Sequence, residues 1–215
     1  MVLMKKTAPL SLHRTTAQQA HEFIIKMKYL TGLLLLITTV GSASEFSRGE
    51  NLISSFTPQH PMFGNYQLYE KSDASSRSYL WKSKTFGNED TYKLDIKLGL
   101  RSADLSQLQS ILNKPGIENC KDFSSTNLDD RESNGYSHLT WETTCDNGNK
   151  TIYVLHKAIA GSDSLYLARK FWYRNVGVST IKDWKKLFGE MYLCDTREGN
   201  HPCPEGYQLK NTANE

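Results

Sequence analysis

TYKLDIKLGL, residues 91–100, alternates without a break. Tyr92, Leu94, Ile96, Leu98 and Leu100 fall on one side, and Lys93, Asp95 and Lys97 on the other. Side chains leave a strand to alternate faces, so the segment reads as a strand with one side in a core and the other in solvent. Working back from it, Gly87 to Asp90 reads as a turn, Ser78 to Phe86 as a strand, Ser72 to Ser76 as a turn and Tyr66 to Lys71 as a further strand. Working forward, Ser102 or Asp104 can cap a helix. Its stripe is Leu105, Leu108, Ile111 and Leu112, and Pro115-Gly116 is expected to end it.

A strand near Ile117 to Phe123 and a polar loop from Ser124 to Gly135 are expected next. Tyr136 to Cys145 and Lys150 to Ala160 then form a hairpin around Asn147-Gly148, a dipeptide that favours the type I′ turn. That turn sets Leu139 opposite His156, Trp141 opposite Val154 and Thr143 opposite Ile152 as the core side. His138 with Lys157 and Glu142 with Tyr153 form a largely exposed side. Gly161 to Asp163 turns the chain into a strand over Ser164 to Arg174. Ser179 caps a last helix with Ile181, Trp184, Leu187, Phe188 and Met191 inward and Lys182, Lys185 and Lys186 outward. The expected fold class is α+β, a mainly antiparallel sheet with two amphipathic helices packed on one face and disulfides added. Each helix directly follows a long strand, which hints at two similar halves, but too few residues match to make a repeat.

The chain has 215 residues with 38% hydrophobic and 23% charged side chains and a mean hydropathy of -0.54, values of a soluble globular protein of one domain. A transporter and a multidomain machine are excluded. Leu30 to Val40 is uncharged but much shorter than the ~20 residues that span a bilayer. Lys26 and Lys28 precede it and Gly41-Ser42-Ala43 follows, the order of a secretory signal peptide. The expected organisation is a signal peptide over 1–43 cleaved near Ala43, with Met27 as an alternative start. An extended lead-in over 44–64, a single α+β domain over 65–204 and a polar tail over 205–215 follow. The mature chain has no transmembrane segment in this reading, and its place is the periplasm or the extracellular medium.

The leader also alters the charge argument. It holds five of the 26 basic residues and one of the 23 acidic residues, so the mature chain has a net charge of about -1. Nucleic-acid binding rests on a basic excess that releases counterions, and none is left. All four cysteines lie beyond the leader, and an even count in an exported chain points to disulfides. Proximity favours Cys120 with Cys145 and Cys194 with Cys203. The competing reading makes Cys194, His201 and Cys203 a metal site, although zinc prefers closely spaced ligand pairs and no fourth ligand is evident.

Motifs for catalysis are weak, and no cofactor signature is present. Gly161-Ser162-Asp163-Ser164-Leu165 resembles the Gly-Asp-Ser-Leu motif of one lipase and esterase family with a residue inserted. The chain has no Asp-x-x-His to accompany it, so a turn explains it better. Asp130, Glu132, Asn134 and Gly135 begin like a calcium loop, but the twelfth position is Trp141, with Glu142 one place late. His138 and His156 point to opposite faces in the hairpin register, and His156 reads as a hydrogen-bonded core residue. His60 and His201 sit in Pro-flanked loops without an evident partner.

Aromatic residues supply the main functional lead. Phe171, Trp172 and Tyr173 are consecutive on a strand, so Trp172 points away from the other two. With Tyr166 and Arg174 beside it, an outward Trp172 marks a partner surface; the competing reading has a helix over that face. The expectation is an exported, non-catalytic binding protein of bacterial type, presenting an aromatic sheet face to an envelope or extracellular macromolecule. The alternatives are a secreted enzyme or metal-dependent protein using Cys194, His201 and Cys203, and a secreted host-acting factor.

Overall fold

In the computed structural model the alternation of residues 91–100 belongs to the middle of a seven-stranded path. The structure describes residues 49–56, 65–100, 103–130, 132–197, 199 and 201–204. The leader, the expected cleavage site near Ala43, His60 and the tail 205–215 lie outside the described residues. In chain order the elements are β1 (Glu50–Ile53), β2 (Tyr66–Ser72), β3 (Ser76–Ser83), β4 (Gly87–Leu98), α1 (Leu105–Asn119), β5 (Asp122–Asp129) and β6 (Glu132–Ser133). They continue as β7 (Tyr136–Asp146), β8 (Thr151–Ala160), β9 (Ser164–Trp172), α2 (Val178–Glu190) and β10 (Tyr192–Asp195). The main sheet runs β2-β3-β4-β9-β8-β7-β5, with β6 on β7, while β1 and β10 form a separate ribbon. Every strand pairing is antiparallel. The expected antiparallel α+β architecture is therefore present, and part of the expected lead-in, Glu50–Ile53, forms a strand.

The helices do not share a face. One cross-strand row reads Tyr69, Leu80, Lys93, Arg169, His156 and Trp141; the next, on the opposite side, reads Leu68, Trp81, Tyr92, Lys170, Leu155 and Glu142. α1 sets Leu105, Leu108 and Leu112 against Leu139, Trp141, Ala158 and Leu167, all on the first side. α2 sets Trp184, Leu187, Phe188 and Met191 against Tyr92, Leu94, Leu155, Ala168 and Trp172, all on the second. The β1–β10 ribbon joins α2's side through Leu52 and Leu193, which pack with Tyr136, Ile159 and Tyr166. An amphipathic stripe says how much a helix buries, not which side of the sheet receives it.

Double coverage explains the other departures. Lys157 and His138, expected on an exposed side, are buried under α2's side of the sheet. The Lys157 ammonium donates to the Phe188 carbonyl at 2.8 Å, in the last turn of α2, where carbonyls lack intrahelical partners and favour a cation. Burial pushes its pKa down to about 8, against the pull of Asp129.

The β7–β8 hairpin keeps the expected faces but slips by two residues. Trp141 faces His156 and Thr143 faces Val154, because the turn centres on Gly148-Asn149 and not on Asn147-Gly148. Asn147 N–H bonds to the Lys150 carbonyl, and Gly148 takes φ +81° at the first central position, where a type II′ turn favours glycine. The side chain of Asn147 is engaged elsewhere, accepting from Lys121 N–H at 3.1 Å. The two positive φ values of a type I′ turn occur at Asn134 and Gly135 instead, between β6 and β7.

Four boundaries also differ. Ser83 Oγ accepts from the backbone of Thr85 and Phe86, so the chain turns there and β4 starts at Gly87, where a turn was expected. Asp104 caps α1 as expected, accepting from Ser106 and Gln107 N–H, yet the helix continues through Pro115 to Asn119. Pro115 and Ile111, the residue whose carbonyl loses its donor, are both exposed. Ile111, expected inward, is 61% exposed. Residues 124–129, expected as a loop, lie in the edge strand β5, held by its backbone ladder to β7, while the strand expected near 117–123 starts in the end of α1 and only reaches β5 at residue 122. α2 starts at Val178 with Gly177 in the cap position, not Ser179. Both disulfides pair as proximity suggested: Cys120–Cys145 ties the end of α1 to β7, and Cys194–Cys203 closes the loop after β10.

Candidate binding surface

Alternation along β9 does send Trp172 to the side opposite Phe171 and Tyr173, but that side is the one α2 covers. Trp172 is 0% exposed and meets Trp184 edge to face at 6.1 Å. Tyr166 is buried beneath the β1–β10 ribbon. Arg174 is part-exposed, pairs with Asp90 at 3.3 Å and lies over the Phe86 ring. The expected outward Trp172 is thus corrected, and the three residues do not form one open surface. Beside them the Lys170 ammonium is fully buried. It bonds to Asp90 and to Tyr66 Oη, with the rings of Tyr66, Trp172 and Trp184 within 4.9, 5.0 and 4.7 Å. Burial pushes its pKa down to about 8, while Asp90 holds the proton on. This cage is filled by the protein's own cation and stabilises the core by charge pairing and cation–π contact.

The C-terminal cysteines form a disulfide, so no thiolates remain there for a metal, and the Cys194, His201 and Cys203 site is not assembled. His201 Nδ1 lies 2.7 Å from the Asn134 carbonyl, and its ring stacks on Tyr136 at 4.0 Å. Asn134 in turn donates to the Leu193 carbonyl at 2.8 Å, a structural use of a residue that began the calcium-like pattern. Gly161 N–H bonds to the Ser164 carbonyl, which makes the lipase-like pentapeptide the β8–β9 turn. His138 and His156 lie on opposite faces as expected, with His138 Nε2 3.5 Å from Asp129. His156 stacks on Trp141 at 4.5 Å and shares a 3.1 Å hydrogen bond with Thr143. Burial, aided by the charge of Arg169, pushes its pKa down to about 3, so it is neutral near pH 7.

The surface that remains open is on α1's side. α1 crosses only part of the sheet there, and beyond Leu108 a groove of about 660 Å³ opens over β2, β3, β4 and β9. Leu80, Leu165 and Leu167 lie along it with Leu108 at its border, and Lys71, Lys93, Lys97 and Arg169 supply its cations. Glu70 and Asp73 line its β2–β3 end as well, and Asp95 lies between Lys93 and Lys97 on β4. Ser78 and Lys93 engage its Oδ1, the latter at 2.9 Å, and Arg169 its Oδ2 at 2.8 Å. Those partners hold its carboxyl below the usual range despite burial. Among the described residues, Lys71 and Lys97 make no ion pair, and the buried Nε of Arg169 has no hydrogen-bond partner.

No family model matches this sequence, and no curated protein is significantly similar to it. The groove therefore has to be read from its own chemistry. Sequence reasoning placed Lys93, Asp95 and Lys97 on the solvent side of β4 but did not join them to Arg169 and Leu80, which are distant in sequence. The available signal was the alternation itself, since a strand with lysines opposite its core must have an open side.

Proposed function

We propose that this chain is an exported, non-catalytic binding protein of bacterial type, which takes an envelope or extracellular component on the open half of α1's sheet face. The observation that carries this reading is the groove: aliphatic side chains beneath a border of four cations and three carboxylates, on a part of the sheet that no element covers among the described residues. Pockets of ~300–1,000 Å³ with an apolar lining and a few polar groups are the usual form of a ligand site. Two disulfides suit an oxidising compartment, and no helix among the described residues is long and apolar enough to cross a membrane. The signal-peptide reading of residues 1–43 supplies the route.

A photo-reactive phenylalanine analogue at Leu80, in the groove, tests the reading against the same analogue at Lys186, on the outer side of α2. After irradiation of exporting cells, intact mass should show a discrete adduct on the exported protein from the Leu80 site alone. Absence of an adduct there, or equal adducts at both sites, would refute it.

A further inference from the structure

We infer that the groove binds a long-chain carboxylate, an anionic amphiphile whose headgroup meets the lysines and whose tail lies along the leucines; this rests on the binding reading above. Two features lead to that class together. The first is charge. Lys71 comes from β2, Lys93 and Lys97 from β4 and Arg169 from β9, so three strands converge cations on one space. Three carboxylates, Glu70, Asp73 and Asp95, stand against these four cations, and Asp73 and Asp95 already have both oxygens engaged. An incoming anion meets Lys97 and Lys71 without displacing an ion pair among the described residues.

The second feature is the lining. Leu80 lies across from Lys93, Leu165 across from Lys97, and Leu167 across from Asp95, so each polar position has an aliphatic neighbour in register. A small inorganic anion would use the cations and leave the leucines wet. A nucleic-acid strand stacks successive bases on aromatic platforms, and Tyr69 is the single aromatic residue in this lining. A single charged head on an aliphatic chain uses both sets of contacts, since burying each methylene contributes ~0.8 kcal/mol. A cationic amphiphile of the same length would gain the apolar contact but face Lys71, Lys93, Lys97 and Arg169 against Glu70, Asp73 and Asp95, of which Asp73 and Asp95 already have both oxygens engaged.

Calorimetric titration of the exported, oxidised protein with sodium dodecanoate, kept below micelle formation, tests the inference. Dodecyltrimethylammonium, dodecan-1-ol and sodium acetate are the comparison probes, and flotation with phosphatidylglycerol vesicles is a separate arm. One dodecanoate should bind per protein, with the cationic and neutral amphiphiles weaker by about tenfold or more and acetate showing no saturable heat. Lys71→Gln with Lys97→Gln should weaken dodecanoate by about tenfold while leaving the thermal midpoint unchanged. Leu80→Asn should weaken dodecanoate and dodecanol alike. Equal affinity for all three amphiphiles, acetate binding as tightly as dodecanoate, indifference to the lysine changes, or vesicle flotation without soluble 1:1 binding would each overturn it. If dodecanoate fails while the Leu80 adduct forms, this inference alone falls; if both fail, the binding reading falls with it.

Discussion

Acidification should destabilise this protein through one histidine. His156 is 5% exposed, stacked on Trp141 and bonded to Thr143, with Arg169 the neighbouring cation in the same cross-strand row. Its folded pKa of about 3 lies below the ordinary imidazole value of 6.5. Between those values the unfolded chain binds a proton that the folded chain does not, so the stabilisation is complete above about pH 6.5 and declines as pH falls toward 3. At pH 4.5 the loss from this residue is on the order of 3 kcal/mol, a substantial part of the ~5–15 kcal/mol that holds such a domain together. Urea unfolding followed by tryptophan fluorescence at pH 7 and pH 4.5 gives the stability change. His156→Gln keeps a neutral hydrogen-bonding side chain and should remove about 3 kcal/mol of the pH dependence, leaving the part due to other groups. Equal pH dependence in the variant, or a folded His156 titrating near pH 6 by nuclear magnetic resonance, would refute the reasoning.

Asp90→Ala leaves the Lys170 ammonium buried without its carboxylate and should cost ~3–5 kcal/mol, with most of it recovered in the Asp90→Ala, Lys170→Met pair. A loss below about 1 kcal/mol in denaturant unfolding would show that Lys170 is not charged there. Trp172→Ala should lower stability by ~3–5 kcal/mol and leave adduct formation at Leu80 unchanged in protein that remains folded. Loss of the adduct without loss of stability would return the binding surface to α2's side. Replacing Cys120 and Cys145 by serine frees a loop with a sequence separation of 25 and should cost ~3.5 kcal/mol in unfolding measurements, on the chain-entropy account. No change in the urea midpoint would mean that this crosslink does not constrain the unfolded chain.

Period-two patterning made most of the sheet legible. It identified β4, β7, β8 and β9 and kept His138 and His156 on opposite faces even though the hairpin slipped, since a shift of two residues preserves every face. What it could not convey was coverage. β7, β8 and β9 are packed on both sides, so Lys157 on α2's side is as buried as Trp141 on α1's side, and a lysine in an alternating strand reads as exposed. The same gap misplaced Trp172: its direction was readable, but the helix above it was not. The hint of two similar halves fails for a related reason. β4 and β9 are adjacent and antiparallel at the junction of two three-stranded meanders, and a two-fold axis between them would place both helices on one face. They lie on opposite faces. β5 was illegible because an edge strand needs only a backbone ladder on one side, and its polar side chains carry no periodic mark.

Native and denaturing mass spectrometry of the protein recovered from exporting cells, without reductant, tests the central claim most directly. The exported chain should begin near residue 44 and be four hydrogens lighter than its reduced form. It should also carry a noncovalently held mass that disappears in the Lys93→Glu, Lys97→Glu variant. A retained leader, four free thiols, or a bound mass indifferent to that charge reversal would contradict it.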